Sequence, residues 1–311
     1  MKTSANGFSY IASKVRNIPL KLRREINRIP PFQTLRNQAY QKALDSHFQF
    51  LPQLDSQGQS ILAMLRQQGT CVIPIEDLEL SSTTKMMNTA SALAENLKFH
   101  SLEHYPNNDC EVGSSGEDLN EFPEILLWAL ESKLLDIVEN YIGLPIMYQS
   151  FAMRKSVADG QYSGVRCWHM DWEDRRIIKV IIYLNDVIAD GGPYQYISRT
   201  ITDEAVKKLN YYNLGYVSDE KMAKAIPKSN WNTCLGKKGT VVISDPSAVF
   251  HRAQPPTQDE RFSITFCYTS ATPHVIWRSR KMSPQQWEFI NKSINQRQKD
   301  CLPKKDYPRF V

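Results

Sequence analysis

The sequence predicts an α+β protein with a mainly β core, an antiparallel barrel or jelly roll buttressed by helices that precede it. Three observations predict this. Up to about residue 145 apolar residues recur at helical spacing. Beyond Pro145, short stretches rich in β-branched and aromatic residues follow one another, separated by Gly, Pro, Asp and Asn. No helix of about 10–15 residues alternates regularly with those stretches, which argues against a parallel βαβ sheet.

Composition and charge narrow the class. The chain has 311 residues, 41% hydrophobic and 23% charged, an ordinary globular balance with room for a large core. No apolar run approaches the ~20 residues of a spanning helix, and the start lacks the apolar segment of a secretory signal. Six cysteines are scattered without a C-x-x-C pair, which fits a reducing compartment and a cytoplasmic protein. The net charge of +5 is uneven: residues 1–42 hold nine Lys/Arg and one acid, Glu25, so the remaining 269 residues carry −3. A slightly acidic body argues against a nucleic-acid partner.

Residues 1–45 form a basic N-terminal extension, and residues 46–311 a single domain. The extension mixes Ile, Leu and Val with Lys and Arg and is broken by Pro19 and Pro30-Pro31. It suits a solvated arm over the domain, a basic amphipathic helix making peripheral membrane contact through residues 1–42, or an organellar transit peptide. The helical part of the body spans about 46–145. It starts with "SQGQSILAMLRQQG", followed by the strand "TCVIPI" and a helix at about 83–97. "FPEILLWALESKLLDIVENYIG" is the clearest helix, with Leu127, Leu130, Leu134, Ile137 or Val138, and Tyr141 on one face. The β core covers about 146–270 and carries an insertion with one or two helices at about 201–232. A C-terminal helix spans about 283–299, with Ser283 as N-cap and Pro284 at its first position.

One motif stands out. In "CWHMDWEDRR", His169 and Asp171 are two apart, so in a strand they point to one side. Alone, the pair reads as a surface hydrogen bond. Downstream, "VFHRAQPPTQDERFSITF" supplies His251 at the end of a strand before a Pro-Pro turn. Arg261 follows ten residues later at the start of the next strand, with Ser263 on the same strand face. Two neutral imidazoles and one carboxylate on one face of an octahedron hold Fe(II) and leave three positions open. A 2-oxo acid takes two of them and O2 the third. The far carboxylate of 2-oxoglutarate needs a buried cation, which Arg261 supplies bidentately and Ser263 supplements.

The text "WHMDWEDRRIIKVIIYLNDVIADGGPYQYI" and "FHRAQPPTQDERFSITFCYTS" resembles the phytanoyl-CoA dioxygenase family of iron(II)/2-oxoglutarate oxygenases over about residues 146–270, with a weaker match at "ILAMLRQQGTCVIPIEDL". The resemblance implies a double-stranded β-helix, a jelly-roll and cupin-like barrel. It implies His169, Asp171 and His251 as metal ligands and catalytic centre, and Arg261 as the 2-oxoglutarate anchor. It also implies hydroxylation of an unactivated C–H bond of a small-molecule, lipid-like or carrier-bound substrate. Halogenating relatives replace the acid of H-x-D with a small residue; Asp171 is retained here, which favours hydroxylation or a related oxidation. The chain departs from the family after Asp190-Gly191-Gly192-Pro193, where many members carry Pro-Gly-Ser-His and this one has "YQYISRTIT". That leaves the substrate-side turn without a template.

Two other classes remain. A non-catalytic metal- or ligand-binding β-helix module would be favoured by loss of a ligand or of Arg261. A metal hydrolase would use the same triad with no need for Arg261. Among the other polar residues, Arg154 and Lys155 either touch cosubstrate or substrate or simply charge a strand edge. His100 and His104 lack a zincin Glu, and His47 and His274 have no partner pattern. Trp168, Trp172, Tyr194, Tyr196 and Trp277 either line a pocket or fill the core. Substrate identity and oligomeric state are not encoded in any motif.

Overall fold

The computed structural model describes residues 30–98, 111–115, 122–212, 215–276 and 284–303. His100, His104, Cys110, Trp277, Ser283 and the first 29 residues of the extension lie outside them. The chain divides into two compact units, Met1–Phe50 with Lys304–Val311, and Leu51–Pro303. The described part of the first unit is helix α1 (Pro30–His47) and one 3-10 turn, Phe48–Phe50. Pro30 and Pro31, read as a break, instead open this helix, where a proline's missing N–H costs nothing.

In the second unit, α2 (Ser56–Gln68) leads into β1 (Thr70–Pro74). Asp55 caps its start by accepting from Gly58 N at 2.7 Å, and Gly69 ends it at φ +78°. Helix α3 (Thr83–Lys98) follows, then β2 (Glu111–Ser115), α4 (Pro123–Ala129) and α5 (Ser132–Ile142). The single helix expected over 123–142 is therefore two. The chain leaves helical geometry at Glu131 (ψ 134°), whose carboxylate accepts from Ser82 N at 2.7 Å and Ser81 N at 3.1 Å. Glu131 serves the orphan donors that precede α3 rather than its own helix.

Nine described strands build two antiparallel sheets. Beyond β1 and β2 these are β3 (Ile146–Ser156), β4 (Ile178–Tyr183), β5 (Tyr194–Ile197), β6 (Trp231–Cys234), β7 (Thr240–Ser244), β8 (His251–Ala253) and β9 (Arg261–Ser270). The large sheet has the order β1-β7-β4-β9-β3-β2 and the small one β6-β5-β8. The two antiparallel sheets agree with the expected jelly roll, but among the described residues no hydrogen-bonded strand pair joins them, so the expected barrel is not closed. The segment of the H-x-D motif is the reason on one side. It makes only single bridges at Trp168 and His169 before Asp171 N turns to donate to Pro246 O at 2.8 Å.

Period-two alternation divides the large sheet. Ile178, Val180 and Ile182 of β4, Val241 and Ile243 of β7, and Phe262, Ile264 and Phe266 of β9 share a core with α2–α5. The intervening residues Lys179, Ile181, Arg261, Ser263 and Thr265 line a cavity on the other face. On β3 the register shifts between Tyr148 and Ser150. That bulge moves Phe151 and Met153 onto the helix side and Ala152 and Arg154 onto the cavity side.

The region expected as an insertion holds α6 (Arg199–Leu209) and α7 (Asp219–Ala225), but its end belongs to β6, which pairs with β5. The expected C-terminal helix is also two, α8 (Pro284–Ser293) and α9 (Gln296–Asp300). Asn295 starts the second with a capping box to Gln298. No described helix is long and apolar enough to cross a membrane.

Candidate metal centre

His169, Asp171 and His251 come from different local structures yet converge. His169 is in a single antiparallel bridge with His251, and each backbone N–H donates to the other's carbonyl at 3.0 and 2.9 Å. His251 opens β8 rather than closing a strand, because β8 pairs with β5 from Tyr196↔His251 onward. Asp171 lies past the bridge, in a loop rather than a strand, so alternation is not what aims it. Its backbone bond to Pro246 O does. The turn carrying Pro246 is itself held by Asp245, which accepts from Tyr141 Oη at 2.8 Å and from Ser247 N at 2.9 Å.

The three side chains offer ligand atoms that all lie within 4.8 Å of one another. Asp171 Oδ1 is 3.6 Å from His169 Nε2 and 3.8 Å from His251 Nε2. A divalent ion ~2.1 Å from each ligand needs octahedral edges of about 3 Å, so these two edges need close by less than about 1 Å. The tautomers suit a cation. His169 Nδ1 donates to Cys167 O at 2.8 Å and His251 Nδ1 to Val249 O at 3.3 Å; a carbonyl only accepts, so each Nε2 keeps its lone pair. Burial, helped by the neighbouring His169, pulls the His251 imidazole down to about 3, so it is neutral near pH 7. Burial alone would push the Asp171 carboxyl up, but the Lys179 ammonium outweighs it and holds the carboxyl below its ordinary range. The donor set therefore fits a hard-to-borderline divalent ion.

The triad borders a cavity of about 390 Å³. Arg261 and Ser263, 6% and 3% exposed, line it from the start of β9. Arg261 donates Nη1 to the carbonyl of Gly192, in the Gly-Gly-Pro turn. Arg154 also lines the cavity, whereas Lys155 faces the other way and pairs with Glu260 at 3.0 Å. Trp172 and Tyr194 line it, and Tyr194 stacks on His251 with centroids 5.6 Å apart. Trp168 is fully buried core instead. His47 and His274 do not line the cavity.

Of the cavity residues that the sequence motifs do not single out, four are charged or phenolic. Lys179 bonds to Asp171 Oδ2. Glu173 is pushed up by burial and by the Asp171 charge. Tyr211 donates to Gly215 O at 2.7 Å and accepts from Met170 N at 3.2 Å. Tyr216 sets its ring edge-on to His169, centroids 5.3 Å apart. Only Lys179 left a readable signal, a lone charge in the apolar run "IIKVIIY".

No family profile matches the chain, and no curated protein sequence matches it. Solved structures do. HygX from Streptomyces hygroscopicus, with nickel and 2-oxoglutarate bound, is 14% identical at TM-score 0.46, over 68% of this chain and 87% of that one. EctD from S. alaskensis, with 2-oxoglutarate and 5-hydroxyectoine, is 16% identical at TM-score 0.48, over 73% and 80%. The non-heme α-ketoglutarate-dependent carbocyclase SnoK from nogalamycin biosynthesis is 17% identical at TM-score 0.50, over 71% of this chain and 88% of that one. The likeness to SnoK shows that this chain shares its fold.

Proposed function

We propose that residues 51–303 form an iron(II)- and 2-oxoglutarate-dependent oxygenase with a jelly-roll, double-stranded β-helix core of the phytanoyl-CoA dioxygenase type. His169, Asp171 and His251 hold the metal in this reading. The observation that carries it is the convergence of two Nε2 atoms and one carboxylate oxygen on the same cavity that Arg261 enters from β9. A hydrolase needs the first half of that arrangement but not the second.

When bound, Fe(II) with O2 supplies the oxidising power to decarboxylate 2-oxoglutarate and hydroxylate a C–H bond. The chain's own residues bind and orient. Arg261 pairs with the far carboxylate of 2-oxoglutarate while Gly192 O keeps the guanidinium pointed along the cavity. Ser263, next on the same strand face, donates a further hydrogen bond. Tyr194, fixed by a 2.9 Å bond to Ser244 Oγ, holds the His251 ring in place by stacking. The Cys167 and Val249 carbonyls keep the Nδ1 protons where they leave Nε2 available. Tyr216, Tyr211, Trp172 and Met170 line the rest of the cavity for a small-molecule substrate. HygX has been solved with hygromycin B and SnoN with nogalamycin RO, so small metabolites are the first class to screen.

Five described cysteines are all free, which suits a cytoplasmic setting. Residues 1–42 remain the candidate for peripheral membrane contact, and vesicle co-sedimentation of the full chain against a chain lacking them tests it. The enzymatic reading is tested by oxygen-dependent succinate formation from 2-oxoglutarate with added Fe(II). Wild type should form succinate and Asp171→Ala should not. Equal succinate from both would remove Asp171 from the centre.

A further inference from the structure

β4 lies inside the large sheet, between β7 and β9. A lysine there cannot serve as an edge charge. Lys179 stands opposite Ser244 and Cys267 on the neighbouring strands, and its side chain is 18% exposed. Its ammonium bonds to Asp171 Oδ2. Oδ1 is then the oxygen that faces both Nε2 atoms, at 3.6 and 3.8 Å. Neither stability nor metal affinity explains this placement. Burying an ion pair in place of apolar side chains rarely gains stability, and a fixed ammonium beside a dication repels it.

We propose that Lys179 is a positioning residue that holds Oδ2 of Asp171, so that the carboxylate presents a single oxygen to the metal and three coordination positions stay open. The proposal rests on the metal-centre reading above. An unrestrained carboxylate can close on a cation through both oxygens. That would occupy one further position and leave two, too few for a chelating 2-oxo acid and a second reactant. Glu173 lines the same cavity two residues on, so the ammonium also offsets the repulsion between the Asp171 and Glu173 carboxylates.

The test uses Mn(II) alone, titrated into metal-free wild type, Lys179→Met and Lys179→Arg. Water-proton relaxation per bound ion reports how many exchangeable waters the ion carries. Wild type should bind one equivalent. Lys179→Met should bind it as tightly or more tightly, with relaxation lowered by about a third as three waters become two. Lys179→Arg, which keeps a donor and a charge, should relax water as wild type does. If Lys179→Met is too unstable to handle, Lys179→Leu, matching the apolar neighbours on β4, gives the same readout. Wild-type relaxation in the Met or Leu variant would overturn the proposal. So would a folded variant that loses Mn(II) altogether, since that marks Lys179 as scaffolding for Asp171. Absence of Mn(II) binding in wild type would instead refute the metal centre itself.

Discussion

Arg252, the residue after His251, is the strongest structural test of how the segments carrying the candidate ligands are held. It is 3% exposed. Its Nε donates to Gln195 Oε1 at 2.8 Å and its Nη1 to Asp219 of α7. The guanidinium lies 4.7 Å from the Trp168 ring, 5.4 Å from Trp231 and 5.8 Å from Tyr162. Arg252→Ala removes all of these together. Gln195 is 8% exposed and cannot turn to water, so losing that charge-assisted bond costs about 1.5–3 kcal/mol. The Asp219 side chain is 27% exposed and regains solvent, so its pair contributes under about 1 kcal/mol. The aromatic contacts add about 0.5–2 kcal/mol, in part overlapping the others. The expected loss is about 2–4 kcal/mol, read as a lower urea midpoint with the slope unchanged. Asp219→Ala should cost less than Arg252→Ala, and the double variant should fall short of the sum by at least about 0.5 kcal/mol. A loss under about 1 kcal/mol, or strict additivity, would refute this account of how α7 is tied to the strand that carries His251.

Other expectations follow from single contacts. Gly192 sits at φ +70°, and a Cβ there would meet Gln254 O at 2.7 Å. Gly192→Ala should therefore cost at least ~2 kcal/mol in urea unfolding and, by moving the carbonyl that orients Arg261, weaken 2-oxoglutarate binding roughly tenfold; lost stability with intact affinity would count against that role. Asp55→Ala should cost about 1 kcal/mol through the lost cap of α2. The Asp55 carboxyl is held below its ordinary value by its bonds to Lys133 and Gly58 N, so its contribution is present above about pH 4 and lost as pH falls below that. The variant and wild type should converge in acid, and a constant gap down to pH 2 would contradict the assignment.

The H-x-D pair, the distal His and the Arg ten residues on were legible because rare side chains with one joint chemistry stood at informative spacings. The path that brings them together was not. Alternation was expected to aim Asp171, whereas a backbone bond to Pro246, 75 residues away, does it. No local propensity records such a contact. The same holds for Glu131, a good helix former that breaks its helix to serve Ser81 and Ser82. It holds for the bulge after Tyr148, which sets the facing of Arg154. β2, "EVGSS", pairs with β3 although Gly and Ser carry little strand propensity. Lys179 stands out as a lone charge in "IIKVIIY", but its meaning depends on β4 being central, which no local pattern records.

If His169, Asp171, His251 and Arg261 act together, one cavity binds both a divalent metal and a 2-oxo diacid. Anaerobic titration of 2-oxoglutarate into the Fe(II) forms of wild type, Arg261→Ala and Arg261→Lys tests it most directly. Arg261→Ala should lose about 2–5 kcal/mol of binding, the cost of truncating one side of a buried charge pair. Arg261→Lys should recover only part, because an ammonium lacks the planar fork, and both variants should keep their metal. Equal affinity in all three proteins, or no binding by wild type, would contradict the account.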